Sequence, residues 1–323
     1  MKTRITELLG VQYPIVEGGM QWVGRAELAA AVSNAGAFGM VTARTLPTPD
    51  DLRAEIARTR ELTDKPFGVN LTLSVAVKGM DYSGWVDAII DSDVQVVETA
   101  GNNPAPVIGR LKEHGIKVIH KCTSVRHALS AERYGADVIS IDGFEAAGHP
   151  GEDDIALLVL LPAVLRSVKV PVIASGGIAD GRALAAALVL GADGVNMGTR
   201  FMLSKESAIH ENVKQRLLLA SERETTLIKR TLKHTARFFT NAISQEIVDL
   251  ERRPGGATYE DLKDLLSGNR GRAAMLSGET DAGLICASQV IGLIDDLPTC
   301  AELVERIVAD CRAALDRSLG AFV

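Results

Sequence analysis

Eight short apolar runs alternate with helical patterns along the first 200 residues, and this rhythm limits the possible folds more than any other feature. The runs are PIVE (14–17), FGMVTA (38–43), FGVNLT (67–72), VQVVETAG (94–101), KVIHKC (117–122), ADVISIDG (136–143), VPVIASGG (170–177) and ADGVNMGTRF (192–201). Parallel strands need crossover helices, and eight such units close a cylinder. The alternation predicts an α/β fold, a (β/α)8 TIM barrel, with a doubly wound open sheet as the alternative.

The pattern changes after residue 203. Charged, helix-prone runs such as NVKQRLLLASERE and TYEDLKDLLSGNRGRAAML fill residues 204–284. We expect a helical subdomain inserted there after strand eight, covering the active site, with residues 1–203 and 285–323 forming the barrel. An independent C-terminal domain is the alternative, although about 80 residues with few aromatics fold more easily against a larger body.

Charge and cysteine usage exclude several classes of protein. The 35 Lys and Arg against 41 Asp and Glu give a net charge of −6, which does not attract nucleic acids or anionic membranes. No apolar run approaches the roughly 20 residues of a membrane span, and the N-terminus lacks a signal-peptide core, so we expect a cytoplasmic protein. The four cysteines form no CxxC pair, which favours buried thiols over a metal site or disulfides.

Two glycine-containing turns fall where a barrel of this kind often binds phosphate. Ser175-Gly176-Gly177 ends strand seven, and Met197-Gly198-Thr199 ends strand eight. Backbone N–H groups and hydroxyls at these turns can hold a terminal phosphate. The alternative is that the glycines only permit tight turns.

Three other strand ends carry candidate ligand-binding groups. GGMQ, with Gly19, Met20 and Gln21, offers open backbone to a flat ring, unless Met20 only packs in the core. Asn70 is suited to the edge of a heterocycle, or else caps its loop. Lys121 can place a positive charge near an electron-accepting ring, or extend into solvent as a surface lysine.

His149 lies in the loop of ISIDGFEAAGHPGEDD (139–154), between Gly148 and Pro150. Imidazole exchanges protons near neutral pH, so we predict a catalytic role, with a loop-fixing hydrogen bond as the alternative. The acidic residues 152–154 are expected to cap the next helix. The remaining histidines show no metal-like spacing and are expected to be structural or exposed; they are His114, His120, His127, His210 and His234.

Several long motifs together resemble the nitronate monooxygenase (2-nitropropane dioxygenase) family. They are GGMQWVGRAELAAAVSNAGAFG, FGVNLT, HKCTS, IDGFEAAGHPGEDD, IASGGIADGRALAAALVLGADGVNMGTRF and NAISQE. The match spans nearly the whole chain. It is closest to the bacterial branch that includes FMN-dependent NADH:quinone reductases, and is more distantly similar to flavin-dependent enoyl-acyl-carrier-protein reductases.

The resemblance implies an FMN enzyme without a tightly held metal, and it implies His149 as the active-site histidine. The cofactor-binding residues it implies are Gly19, Met20, Gln21, Asn70, Lys121, Asp142, Gly148, Ser175, Gly176, Gly177, Met197, Gly198, Thr199, Ser288 and Gln289. Ser288 and Gln289 would complete the phosphate pocket from the C-terminal segment.

Three activities follow as expectations. The first is oxidation of alkyl nitronates with O2 to carbonyl compounds and nitrite. The second is NAD(P)H:quinone reduction, in which NAD(P)H visits transiently, since the chain has neither GxGxxG nor a Walker A motif. The reductase branch carries gating prolines after strand three, whereas residues 73–78 read LSVAVK, which disfavours this option. The third, from another class, is a sugar-phosphate isomerase or lyase. The partner is a small-molecule substrate, and a homodimer is left open.

Overall fold

The computed structural model describes residues 1–73 and 81–321. Of the proline-free loop 73–78, residues 74–78 therefore lie outside the described part of the chain. Within that part, no helix is both long and apolar enough to cross a membrane.

Eight parallel strands form the barrel that the alternation predicted. Their hydrogen-bonded order is β1-β8-β7-β6-β5-β4-β3-β2. Two backbone bonds at Phe38 join the remaining edges, because its N–H donates to the Ile15 carbonyl (2.9 Å) and its carbonyl accepts from the Glu17 N–H (2.9 Å). The strands are β1 (Ile15–Glu17), β2 (Gly39–Thr42), β3 (Phe67–Leu73), β4 (Val96–Gly101), β5 (Lys117–Cys122), β6 (Val138–Asp142), β7 (Val172–Ser175) and β8 (Gly194–Met197).

Helices cover the outside of the barrel and close its lower end, which is the end at which the strands begin. Local signals start several of them: Thr48 and Asp51 form a capping box at the start of the helix Pro49–Leu62, and Asp180 caps the helix Gly181–Val189. The helices up to strand eight are α1 (Arg4–Leu9), α2 (Ala26–Asn34), α3 (Pro49–Leu62), α4 (Ser83–Asp91), α5 (Ala105–Glu113), α6 (Val125–Arg133), α7 (Leu157–Leu165) and α8 (Gly181–Val189); a short 3-10 turn, Ala43–Thr45, follows β2.

The barrel interior has two layers of side chains. The lower layer, toward the N-terminal ends of the strands, is apolar, and the upper layer, toward their C-terminal ends, is polar. Ile5 and Leu9 of α1 pack onto the lower layer and plug it. Side chains alternate between the two faces of a strand, so a residue two positions after a lower-layer residue also faces inward. The lower layer contains Val16, Phe38, Met40, Val96, Ile119, Val138 and Ile173. Two residues after four of these positions lie the polar residues Glu98, Lys121, Ser140 and Ser175. Asn70 and Asn196 lie two residues after Gly68 and Gly194, which pair with Met40 and Ile173 of the lower layer.

The segment after strand eight contains helices, as expected, but also a two-stranded antiparallel ribbon that was not predicted. Its strands of four residues are too short to show a periodic signal. A small apolar cluster of its own includes Ile228, Ile247 and Leu262. The elements are α9 (Thr199–Met202), α10 (Glu211–Leu218), β9 (Thr225–Ile228), β10 (Ala236–Phe239), α11 (Ala242–Glu251), α12 (Tyr259–Leu262) and α13 (Gly268–Ser277). The division into a barrel domain and a 204–284 subdomain stays a prediction.

The C-terminal part returns to the barrel. A 3-10 turn, Gln289–Leu293, lies beside α9, and the last helix, α14 (Cys300–Gly320), packs against α8 and α2. Thr299 and Glu302 form the capping box that starts α14. Residues near 288 are thereby held next to the ends of β7 and β8.

Candidate active site

Glu98 is the hub of the polar upper layer. Its side chain is fully buried. One carboxylate oxygen, Oε1, accepts from Asn70 Nδ2 (2.8 Å) and from the Gly19 N–H (3.1 Å), and the other accepts from Asn196 Nδ2 (2.8 Å). These bonds satisfy a buried carboxylate and fix three strand ends relative to one another. Asn70, predicted to face a heterocycle, is thus held in place by a residue that the sequence analysis missed.

Lys121 lies between two carboxylates inside the barrel. Its Nζ is 3.5 Å from Asp142 Oδ1 and 3.9 Å from Glu98 Oε2. Burial disfavours the charged ammonium, but the two carboxylates outweigh it, so the pKa of Lys121 is raised. The predicted alternative of a solvated surface lysine is therefore wrong. Asp142 Oδ1 forms this ion pair with Lys121, and the buried Ser140 Oγ has no hydrogen-bond partner among the described residues.

The first loop approaches this layer closely. A β-carbon at Gly19 would lie 2.1 Å from Asn70 Cγ, so the position admits only glycine unless Asn70 moves. The Met20 N–H donates to Thr42 Oγ1 (2.9 Å), and Met20 is partly buried. Gln21 is exposed, and among the described residues its side chain forms no hydrogen bond, so the structure does not bring it to the other site residues.

The turns after β7 and β8 form a cup of hydrogen-bond donors. Gly176 and Gly177 have φ of +79° and +76°, which side chains rarely adopt. Among the described residues, the N–H groups of Gly176, Gly177 and Gly198 have no acceptor in the protein. Asp180 occupies the N-terminus of α8 as its cap, so the glycine N–H groups, rather than that helix, are available to an anion.

The C-terminal segment closes one side of this cup. The Ser288 N–H donates to Thr199 Oγ1 (3.0 Å), and Ser288 Oγ donates to the Glu145 carbonyl (2.6 Å). The Gln289 N–H donates to the same carbonyl (3.2 Å). Met197 differs from the other predicted residues here: its side chain is buried in the core, and only its carbonyl reaches the first loop, accepting from the Gly18 N–H (3.0 Å).

His149 lies at the mouth of the barrel, on the loop after β6, and contacts the inserted segment. Gly148, with φ of +69°, forms a bridge to Arg237 of β10. Lys229 Nζ lies 3.0 Å from His149 Nε2 and 3.2 Å from His234 Nδ1, and the two imidazole rings lie with centroids 4.3 Å apart at a tilt of 40°. Desolvation, with smaller contributions from the neighbouring Lys229 and His234, lowers the pKa of His149, so although the residue keeps an exposed edge, it is neutral at pH 7.

Two expectations near this loop are wrong. The acidic run 152–154 does not cap α7: Glu152 accepts from the Thr235 N–H and hydroxyl (2.7 and 2.6 Å), and Asp154 pairs with Arg230. Cys286 is exposed, whereas the other three thiols are buried as predicted; these are Cys122, Cys300 and Cys311. His234, expected to be structural or exposed, is half-buried beside Lys229 and His149.

The residues present fit FMN. Three N–H donors without acceptors match a terminal phosphate, and the Ser175 and Thr199 hydroxyls lie at the same strand ends. The polar upper layer, with its charged Lys121 and, among the described residues, the buried Ser140 hydroxyl without a hydrogen-bond partner, matches the polar edge of a flavin ring better than an apolar ligand.

Comparison with known proteins decides the family. A model described as "Nitronate monooxygenase" matches residues 2–77 and 72–310. The chain belongs to the nitronate monooxygenase family. FabK from Thermotoga maritima has a similar structure, with a TM-score of 0.92, 38% identity and 99% of each chain covered. Nitroalkane oxidase from Streptomyces ansochromogenes has a TM-score of 0.80 at 30% identity, covering 96% of this chain and 99% of its own.

A relative that is similar over nearly the whole chain comes from Rhodococcus jostii (strain RHA1). It is named (3aS,4S,5R,7aS)-5-hydroxy-7a-methyl-1-oxo-octahydro-1H-indene-4-carboxyl-CoA dehydrogenase, and is 35% identical over 99% of this chain and 98% of its own. These similarities make the protein an oxidoreductase that acts on a small molecule, rather than an isomerase or lyase. The family is flavin-dependent in general.

Proposed function

We propose that this protein is an FMN-dependent oxidoreductase that oxidises small alkyl nitronates with O2 to carbonyl compounds and nitrite. The observation that carries the proposal is the ammonium of Lys229, 3.0 Å from the neutral imidazole of His149 at the barrel mouth. A nitronate is a small anion. A site with a cation beside a neutral imidazole attracts an anionic substrate more strongly than a neutral one. When bound, FMN would accept electrons from the substrate and pass them to O2.

Two sets of residues would hold the cofactor. The cup would bind the phosphate through the backbone of Gly176, Gly177 and Gly198 and the hydroxyls of Ser175 and Thr199, with Ser288 and Gln289 as its outer wall. The ring would lie against Gly19 and Met20, above Asn70 and Lys121. The positive charge of Lys121 would stabilise negative charge that develops on the reduced ring.

His149 would orient the substrate. Lys229 can only donate, so His149 Nε2 accepts and the remaining proton lies on Nδ1. That N–H can hold a nitronate oxygen. For a neutral nitroalkane, the imidazole would have to release Lys229 before Nε2 could take the α-proton, so the nitronate is the better substrate.

A second candidate is the oxidation of a hydroxyacyl-CoA thioester. The supporting observation is the Rhodococcus jostii relative, whose similarity extends over 99% of this chain and whose name specifies a carboxyl-CoA dehydrogenase. The same flavin and His149 would serve that reaction. Reduction of quinones by NAD(P)H uses the same pocket and rests on the resemblance to the reductase branch.

Anaerobic mixing of the flavin-loaded protein separates these functions. The reductants are propyl-2-nitronate, NADH, NADPH and 2-hydroxycyclohexane-1-carboxyl-CoA, each tested alone while flavin bleaching is followed. We expect rapid bleaching with the nitronate, and nitrite release once O2 is admitted. Bleaching only by the thioester would establish the second candidate, and bleaching only by a nicotinamide would establish the quinone reductase. A colourless protein that does not bind FMN would contradict all three.

A further inference from the structure

Lys229 occupies a backbone conformation that is unusual for its residue type. It directly follows β9 with φ of +60°, in the left-handed region that non-glycine residues seldom adopt. Its N–H donates to Glu251 Oε2 (2.9 Å), which fixes the turn to α11. Strained backbone of this kind persists where the surrounding structure enforces it, and it is common at functional sites. The turn places the ammonium between two histidines.

The hydrogen bonds of this ammonium have only one direction. An ammonium donates and cannot accept, so His149 Nε2 and His234 Nδ1 are both acceptors. Both rings are therefore neutral, which also lets them lie with centroids 4.3 Å apart, tilted by 40°, without charge repulsion. Burial lowers the pKa of Lys229 to about 8, so the group still carries its charge at neutral pH.

No carboxylate neutralises Lys229 within ion-pair distance in the described part of the chain. The two nearby acids are bound elsewhere: Glu152 accepts from Thr235, and Glu251 accepts from Thr231 and from the Lys229 backbone. Two of the three ammonium hydrogens go to the histidines. The third has no protein acceptor among residues 1–73 and 81–321. A partly buried cation thus has one donor left, beside His149.

We propose that Lys229 is an oxyanion-binding residue, whose third N–H binds a negatively charged oxygen of the substrate while His149 and His234 hold the other two. The ligand is a small, planar, delocalised oxyanion, of which a nitronate is one example. The site is separate from the phosphate cup, because it lies on the inserted segment and uses a side-chain cation instead of glycine N–H groups. The identity of the substrate rests on the proposed function; the anion site itself does not.

The test uses the flavin-loaded protein and three variants. Lys229→Met removes the charge at similar length, and Lys229→Arg keeps the charge. Lys233→Met is the matched control, because Lys233 is exposed in the same turn and its side chain has no partner among the described residues. Nitrate, a planar oxyanion that cannot be oxidised, serves as the probe in calorimetric titrations. We expect Lys229→Met to weaken nitrate binding about 10-fold to 100-fold and Lys229→Arg to weaken it less, with Lys233→Met unchanged. Equal nitrate affinity in wild type and Lys229→Met would overturn the proposal.

A second measurement does not depend on any ligand. Nitrogen NMR of 15N-histidine-labelled protein should show His149 protonated on Nδ1 in the wild type, and Lys229→Met should shift it toward the Nε2-protonated form. A wild-type His149 protonated on Nε2 would contradict the geometry. If nitrate binding depends on Lys229 but propyl-2-nitronate is not oxidised, the anion site stands and the proposed function fails.

The pH dependence gives a third measurement. Nitrate affinity should fall as the pH rises through about 8, because Lys229 loses its charge, and Lys229→Met should lack this fall. A fall of equal size in that variant would assign the effect to another group. The titratable groups that face Lys229 are His149 from the β6 loop, His234 from its own turn, Glu152, Glu251 from α11 and Cys286 from the returning segment.

Discussion

Gly148 and Arg237 exchange two backbone hydrogen bonds: the Arg237 N–H donates to the Gly148 carbonyl (2.6 Å), and the Gly148 N–H donates to the Arg237 carbonyl (3.1 Å). The Arg237 guanidinium also donates to the Phe144 carbonyl (2.9 Å) and lies over the Phe144 ring. The loop that carries His149 is therefore fastened to the inserted ribbon, and the position of the imidazole depends on both parts of the chain.

Replacing His149 by alanine should lower nitronate turnover by about 10²-fold to 10⁴-fold, the usual contribution of a group that positions or transfers a proton. Bound flavin should be unchanged, because the His149 ring contacts Lys229 and His234 rather than the cup. Turnover and the flavin-to-protein ratio are the measurements. His114→Ala, an exposed position beside α5, is the control. Wild-type turnover in His149→Ala would remove this residue from the mechanism.

Gly198→Ala should weaken FMN retention. The added β-carbon would lie 3.5 Å from Met20 Sδ, an ordinary contact, so the protein itself tolerates it. A phosphate held by the Gly198 N–H would meet the new methyl group, at a cost of about 1–3 kcal/mol. Flavin content after gel filtration measures the effect, with Gly109→Ala as control, since nothing lies within 4 Å of a β-carbon there. Equal flavin content in both variants would count against the cup.

Glu98→Gln should destabilise the fold by about 1–3 kcal/mol, because the buried amide has one oxygen for three donors and must turn its own NH2 toward one of them. Urea unfolding of the flavin-free protein measures the change. Glu61→Gln, on the exposed face of α3, is the control. Unchanged stability of Glu98→Gln would show that the network of Asn70, Asn196 and Gly19 does not need the carboxylate.

Acid should destabilise the protein partly through His120. Its ring is buried, with Nδ1 2.8 Å from Thr99 Oγ1, and desolvation, helped by His127, lowers its pKa to about 4. Between pH 6.5 and about 4 the unfolded chain binds a proton at this residue that the folded chain does not. The free energy of unfolding should therefore decrease as the pH is lowered from 6.5 to about 4, by up to about 3 kcal/mol. His120→Gln should show a shallower fall in urea titrations at pH 7 and pH 5; an identical fall would assign the effect to other groups.

The barrel could be predicted because its signals are local. Each strand is a short apolar run, and signals such as the Thr48 capping box and the Asp180 cap lie within a few residues of the elements they start. The glycine turns after β7 and β8 could be located for the same reason, since a turn after a strand is visible in the sequence; their role in binding phosphate stays a prediction. Glu98 and Asn196 could have been found too, because they lie two residues after the inward-facing positions 96 and 194.

The cluster around His149 could not be predicted in the same way. Lys229 is 80 residues from His149 in the sequence and Thr235 is 83 residues from Glu152, so no local pattern joins them. The contacts exist because a ribbon of two four-residue strands turns back over the barrel mouth. The same run of acids that resembles a helix cap in the sequence meets basic and hydroxyl partners only in the folded chain.

The bonds from Ser288 to Thr199 and to the Glu145 carbonyl also bear on when the cup is completed during synthesis. A ribosome exports the glycine turns after β7 and β8 long before it exports residue 288, so a growing chain carries a cup of N–H donors that is open on one side. Under the proposed function, stable uptake of FMN would belong to the last stage of synthesis, and premature termination before this serine would leave a chain that captures FMN poorly.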